Sequence, residues 1–331
     1  MMLALREPVR IIAKNTTLSL SAAAMLLGIL SEQEIRCAVR TVPSYTQNEL
    51  DALLHEEYHS FIFLDCDEAI YRSRLESRTA YFLNAADAYN DIDFEKAQFA
   101  HLGVICIVSA AAEHNQSVIV SDKLLQDALN AQVMSADINT MHEVNQSFFD
   151  SITIPFHGAR MKIAEIATMI SAAARMGKAA SAISALLGDV STQDKVVQYW
   201  GEYRREMEAA LEWCKQHEKD INNRGVSIVH LKDFAASYMT GSIAAHLAKL
   251  LPQSLVLVMA YAPDKRIRVS LRSSGHESNI LHLLAKIFEG MDCEYGGSAY
   301  AAGGTFSRAE EENFLSAARK VLEKAFVEEK V

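Results

Sequence analysis

Residues 295–303, Tyr-Gly-Gly-Ser-Ala-Tyr-Ala-Ala-Gly, cluster small side chains so that backbone amides can approach a bound anion. The stretch has no lysine, so it is not a Walker loop, and glycine pairs also mark ordinary turns. The basic segment Lys265 to Ser274 reads as a strand that sets Arg268 and Arg272 on one face. Those two guanidinium groups favour an anion-binding loop over a plain turn.

Three other groups carry chemistry on paper. His55-Glu-Glu-Tyr-His59 matches H-E-x-x-H, which holds zinc when both imidazoles share a helix face. His59 stands two residues before the apolar run Phe61 to Leu64, so a helix must end there and the pair reads as a solvated helix end. Counting offers Glu76 as a third ligand and nothing more. Asp65 and Asp67 follow the apolar run, at the strand edge where open α/β sheets bind ligands. There they would hold Mg²⁺ or Mn²⁺. With Asp87, Asp91 and Asp93 they also suit helix caps and turns, the better reading without accompanying histidines. Ser21 near Lys14 has no third group to orient it as a nucleophile.

The elements that position these residues come in two sets. Val9 to Ala13, Ile35 to Val42, Phe61 to Leu64 and Thr79 to Leu83 read as strands. Ser19 to Leu30, Gln47 to Glu57 and Phe94 to Leu102 read as helices between or after them, with Val104 to Val108 a buried apolar run. That alternation predicts a parallel sheet covered on both faces. From Ala159 to Leu187 the chain reads as alanine-rich helix, followed by one long helix from Gln193 to Asn222 that ends with Gly225 at C′. The second set is strand Val226 to His230, helix Ser242 to Leu250, strand Ser254 to Tyr261, the basic strand, a helix around Asn279 to Phe288, the glycine loop and a helix Arg308 to Val327.

Composition bounds the reading. The 331 residues are enough for two domains, and 50% hydrophobic with 22% charged residues is a globular composition. A net charge of −10 argues against nucleic-acid binding over the whole surface and leaves the basic strand as a local contact. Cys37, Cys66, Cys106, Cys214 and Cys293 form no C-x-x-C pair, which predicts a reducing, cytoplasmic setting without structural zinc. No signal-peptide pattern opens the sequence, and no run of about 18 uncharged apolar residues predicts a membrane span.

Residues 295–303 resemble the G-G-G-H-x-x-A-A-G signature of the DHHA1 domain of DHH phosphoesterases such as RecJ-type nucleases. Tyr295 replaces the first glycine, Ser298 replaces the histidine, and Ala301-Ala-Gly303 stands. Arg268-Val-Ser-Leu-Arg-Ser273 resembles the strand preceding that loop. The family's H-x-D-x-D-G falls on Lys14, Thr16, Leu18 and Ser19. Its strand ending in aspartate falls on Asp65, and its Asp-His-His falls on Asn84, Ala85 and Ala86. Arg175-Met-Gly-Lys178 and Ile183 to Asp189 are similar to the archaeal GINS-associated RecJ-like branch.

The resemblance implies an α/β fold with a parallel-sheet DHH domain over residues 1–190, a linker helix over 191–225 and a smaller α/β DHHA1 domain over 226–331. It implies phosphate or nucleic-acid contacts at Arg268, Arg272, Ser273, Gly296, Gly297 and Ser298. A two-metal phosphoesterase needs several carboxylates and imidazoles to hold ions about 3.5–4 Å apart. Of the former metal positions Lys14, Thr16, Leu18, Asp65, Asn84, Ala85 and Ala86, only Asp65 keeps a ligand. The expectation is therefore a pseudo-enzyme without metal or other cofactor. It resembles the cell-division-cycle protein that joins MCM and GINS in the eukaryotic replicative helicase. Its expected partners are GINS, MCM through GINS, and single-stranded DNA. The alternative is a divergent Mn- or Mg-dependent single-strand exonuclease using Asp65, Asp67 and Asp87.

Overall fold

The computed structural model describes residues 7–42, 51–53, 55–66, 75, 78–83, 153–217, 222–223, 225–251, 253–275 and 279–328. It divides into two compact units, 1–201 and 202–331.

In the first unit, β1 (Val9–Lys14), β2 (Cys37–Val42), β3 (Ser60–Leu64) and β4 (Thr79–Leu83) form a sheet of order β2-β1-β3-β4. Every neighbouring pair is parallel. Alternate residues of β1 explain why its sequence is almost wholly apolar. Val9, Ile11 and Ala13 meet α1 (Thr17–Glu32) through Leu18, Ala22, Ala23 and Leu26. Ile12 lies in a separate cluster with Phe61, Phe63, Val42 and Leu53.

The outer side of α1, with Leu20, Ala24 and Met25, packs on α2 (Ile163–Arg175) and α3 (Ala179–Leu186). The alanine-rich segment is therefore core. It does not begin as helix, however: β5 (Thr153–Phe156) and β6 (Ala159–Lys162) pair antiparallel first, turning through Gly158 at φ 72°. The long helix α4 is Val190–Gln216. It stops short of Asn222 because Asn222–Asn223 (β7) pairs with β8 (Val226–His230). Gly225 is thus no helix cap. A Cβ there would sit 2.1 Å from the Phe326 ring, and φ is +89°.

The second unit is a six-stranded sheet, β11-β12-β10-β9-β8-β7, built also from β9 (Ser254–Tyr261), β10 (Arg266–Ser274), β11 (Cys293–Gly297) and β12 (Ala301–Ser307). β8 and β9 run parallel, and the other pairs are antiparallel. The helices are α5 (Thr240–Leu250), α6 (Ile280–Ile287) and α7 (Glu311–Glu328). Leu255, Leu257, Met259, Ile267, Val269 and Leu271 pack with Ile280, Leu284, Phe314 and Leu322 of α6 and α7. The fold class read from the sequence is the one observed. The glycine stretch is a correction: it is a β-hairpin at the sheet edge, not a loop between helices.

Candidate phosphate site

In the first unit, the residues expected to stand at the family's metal-ligand positions have structural roles. Lys14 ends β1 opposite Val42. Thr16 is the N-cap of α1, its Oγ1 accepting from the Ser19 amide at 3.3 Å. Leu18 is buried at 4% exposure in the apolar cluster under the sheet. Asp65 follows β3 at φ 58°, a left-handed conformation that aspartate tolerates better than most residues, and its amide donates to the Leu83 carbonyl at 2.8 Å. The Ser19 hydroxyl, fully buried, donates to Asp65 Oδ2.

The family resemblance aligns Ser19 with a glycine and gives no sign of this bond. The signal lay in its small polar side chain one turn into a helix that starts beside the strand end carrying Asp65.

These residues do not fit a two-metal centre. They supply one carboxylate, already accepting from Ser19, and an alkyl group where a second would be needed. Among the described residues no three His, Cys, Asp or Glu side chains converge as metal ligands. Asn84, Ala85, Ala86, Asp67, Asp87, Asp91, Asp93 and Glu76 lie outside the described residues. So do Phe94 to Leu102 and Val104 to Val108.

The H-E-x-x-H match dissolves. Residues 51–53 are helical, but His55 is already in a turn. Glu56 is 2.8 Å from Arg10 Nε and 2.7 Å from Arg40 Nη1, while His55 and His59 are exposed. Ser21 is fully buried, which removes it as a nucleophile for a solvent-borne substrate.

In the second unit, register decides which residues share a face. Arg268 pairs with Thr305, Ser270 with Gly303 and Arg272 with Ala301, and Gly303 pairs in turn with Gly296. Arg268, Ser270, Arg272, Gly303 and Gly296 thus lie on one face of the sheet. Gly296 and Gly303 sit side by side without side chains; a Cβ at Gly296 would meet nothing within 4 Å, whereas one at Gly303 would lie 2.9 Å from the Val269 carbonyl oxygen. Arg272 is braced on this face. Its Nη1 donates to the Leu271 and Ala302 carbonyls at 2.9 and 3.2 Å, and its Nη2 would lie 3.6 Å from a Cβ on Gly241 in α5.

Ser273 and Gly297 fall on the opposite face, in register with Leu255 and Ala302. Gly297 is needed for the hairpin: φ is +146°, and a Cβ would lie 2.3 Å from the Ala301 carbonyl oxygen. Ser298 holds the turn, its amide donating to Ala301 O at 2.8 Å and its hydroxyl accepting from the Tyr300 amide at 3.2 Å. The open backbone at Gly296, on the sheet face that also carries Arg268 and Arg272, can receive an anion, with the two arginines supplying charge and Gly296 the close approach.

At the other end of the sheet, the His230 Nδ1 lies 3.4 Å from Glu311 Oε1, and the Tyr261 hydroxyl donates to Glu311 Oε2 at 3.0 Å. Burial pushes the His230 pKa below its ordinary value. Nearby Glu311 opposes that shift, and Lys232 and Arg308 reinforce it.

Residues 225–324 match the DHHA1 domain family. Among solved structures the chain is similar to RecJ in complex with Mn²⁺ from Thermus thermophilus, at 15% identity and TM-score 0.62 over 96% of this chain and 52% of that one. It is similar to exonuclease RecJ bound to manganese, at 15% identity and TM-score 0.62 over 97% and 91% of the two chains. It is also similar to CDC45 from Entamoeba histolytica, at 9% identity and TM-score 0.57 over 95% of each chain. The chain spans about half the length of the Thermus thermophilus RecJ it matches, 52%. No curated protein matches. The fold is therefore that of the RecJ-like DHH proteins. The C-terminal part of this chain is a DHHA1 domain.

Proposed function

We propose that this chain is a non-catalytic DHH-family replication factor of archaeal type. In this reading it is a scaffold that binds GINS, and the MCM helicase through GINS, with single-stranded DNA along its second unit. The observation that carries the reading is the Ser19 bond to Asp65, together with Thr16 and Leu18 serving as helix cap and core where a phosphoesterase needs ligands. The fold shared with CDC45 over nearly the whole chain supports it. The arginine and glycine strip on the second unit is suited to contact one or two DNA phosphates without cutting.

Purified chain and the GINS complex of the organism that encodes it, mixed at micromolar concentration, should co-elute in size-exclusion chromatography. Separate elution at those concentrations would remove the scaffold reading. No helix among the described residues is long and apolar enough to cross a membrane.

A further inference from the structure

We infer that the second unit carries a receptor for an arginine side chain of a partner protein, in a cavity at the carboxyl ends of the parallel strands β8 and β9. The cavity has a volume of about 510 Å³. Asp233, Phe234 and Tyr238 enter it from the segment after β8, Tyr261 and Pro263 from the end of β9, and Glu206 from α4. Carboxyl ends of parallel strands leave a crevice where the following segments diverge, which is why α/β sheets bind ligands there.

The lining selects a cation. Its lining residues include two carboxylates and three aromatic rings, of which Phe234 and Tyr238 are free of a cation contact among the described residues while Tyr261 already carries the Arg308 guanidinium. Aromatic faces attract a cation through their quadrupole, and a flanking carboxylate adds charge and hydrogen-bond acceptors. A nucleic-acid phosphate would be repelled by Asp233 and Glu206. The planar guanidinium satisfies both stacking and paired acceptors, where an ammonium satisfies chiefly the charge. The molecule already uses this combination on itself. The Arg308 guanidinium carbon stands 3.5 Å from the Tyr261 ring centre, and Glu311 accepts from the same tyrosine.

The walls are set before any ligand arrives. Tyr238 donates to Glu206 Oε2 at 2.6 Å and stacks on Tyr203 at 6.3 Å between ring centres. Trp213 backs Phe234 at 5.6 Å. Phe234 nevertheless stays 52% exposed, an open aromatic surface at the cavity rim. Preorganised walls reduce the ordering cost of binding. The volume lies within the range of about 300–1,000 Å³ typical of ligand pockets, enough for an arginine with its flanking backbone.

This site lies apart from the phosphate strip. Arg272 is in register with Val256 near the start of β9, whereas Tyr261 ends that strand. The inference therefore stands or falls independently of the non-catalytic reading.

The test titrates the intact chain, in a Trp200→Phe background, with acetyl-Ala-Arg-Ala-amide while following the fluorescence of Trp213. Citrulline and lysine counterparts serve as neutral and ammonium controls. The arginine peptide should saturate, with the citrulline peptide at least tenfold weaker and the lysine peptide several-fold weaker. Asp233→Asn and Glu206→Gln, each confirmed as folded by circular dichroism, should each weaken arginine binding about tenfold, a loss of ~1.4 kcal/mol. Equal affinity for arginine and citrulline would overturn the site, as would affinity unchanged in both variants or no saturation by about 10 mM. Lysine binding as tight as arginine would overturn the assignment to a guanidinium.

Discussion

The Ser19 hydroxyl donates to the Asp65 carboxylate across the start of α1 and the end of β3. The bond joins Asp65, at the end of β3, to the helix that follows β1. It gives Asp65 a structural task that needs no metal. Ser19→Ala should lower the unfolding free energy by about 1–3 kcal/mol, the usual cost of removing a buried hydrogen bond to a charged group. Urea unfolding measures it. Unchanged stability would mean that the bond contributes nothing to the fold.

The two hairpin glycines should separate structure from binding. Gly297→Ala would place a Cβ 2.3 Å from the Ala301 carbonyl oxygen, so it should destabilise the second unit by about 2 kcal/mol or more. Gly296→Ala meets open space and should change stability by less than about 0.5 kcal/mol. It should still weaken phosphate binding by filling the strip. Thermal unfolding of both variants, with a phosphate-oligonucleotide titration of Gly296→Ala, measures the contrast. Equal destabilisation by the two would refute this division of roles.

Arg272 should act on any DNA as a phosphate contact. Arg272→Ala should weaken binding of a single-stranded oligonucleotide across sequences. It should also flatten the dependence of log affinity on log salt by about 0.7 per phosphate lost. The salt series should be run on the folded variant, because Arg272 also braces the Leu271 and Ala302 carbonyls. An unchanged slope would place DNA elsewhere.

His230 sets a pH dependence. Burial lowers its folded pKa below the ordinary value of 6.5, so the unfolded chain binds the proton more readily. Its contribution to stability is therefore complete above about pH 6.5 and is lost as pH falls through the lower folded value. His230→Gln should flatten the part of the stability profile that falls below about pH 6.5. A slope identical to that of the parent chain would exclude His230 as its source.

The strands buried on both faces were legible in sequence, because continuous apolar runs such as Val226 to His230 and Ser254 to Tyr261 carry their own signal. The hairpin over residues 293–307 was not. Glycine has no side chain to show alternation, and the pairing of Gly296 with Gly303 is a register fact. The strand Ala159–Lys162 was hidden for a related reason: it exists through its pairing with Thr153–Phe156, not through its composition. Even spacing alone puts Arg268 and Arg272 on one face, as they stand in β10. The motif groups Ser273 and Gly297 with them, and strand alternation separates them. The Ser19 bond spans 46 positions, beyond any local pattern.

The most direct test of the central claim is cleavage of 5′-labelled single-stranded DNA by the purified intact chain in Mn²⁺ and in Mg²⁺, beside its Asp65→Ala variant. No metal-dependent product above the buffer control is expected from either protein. Robust Mn²⁺-dependent cleavage by the parent chain, abolished in Asp65→Ala, would contradict it.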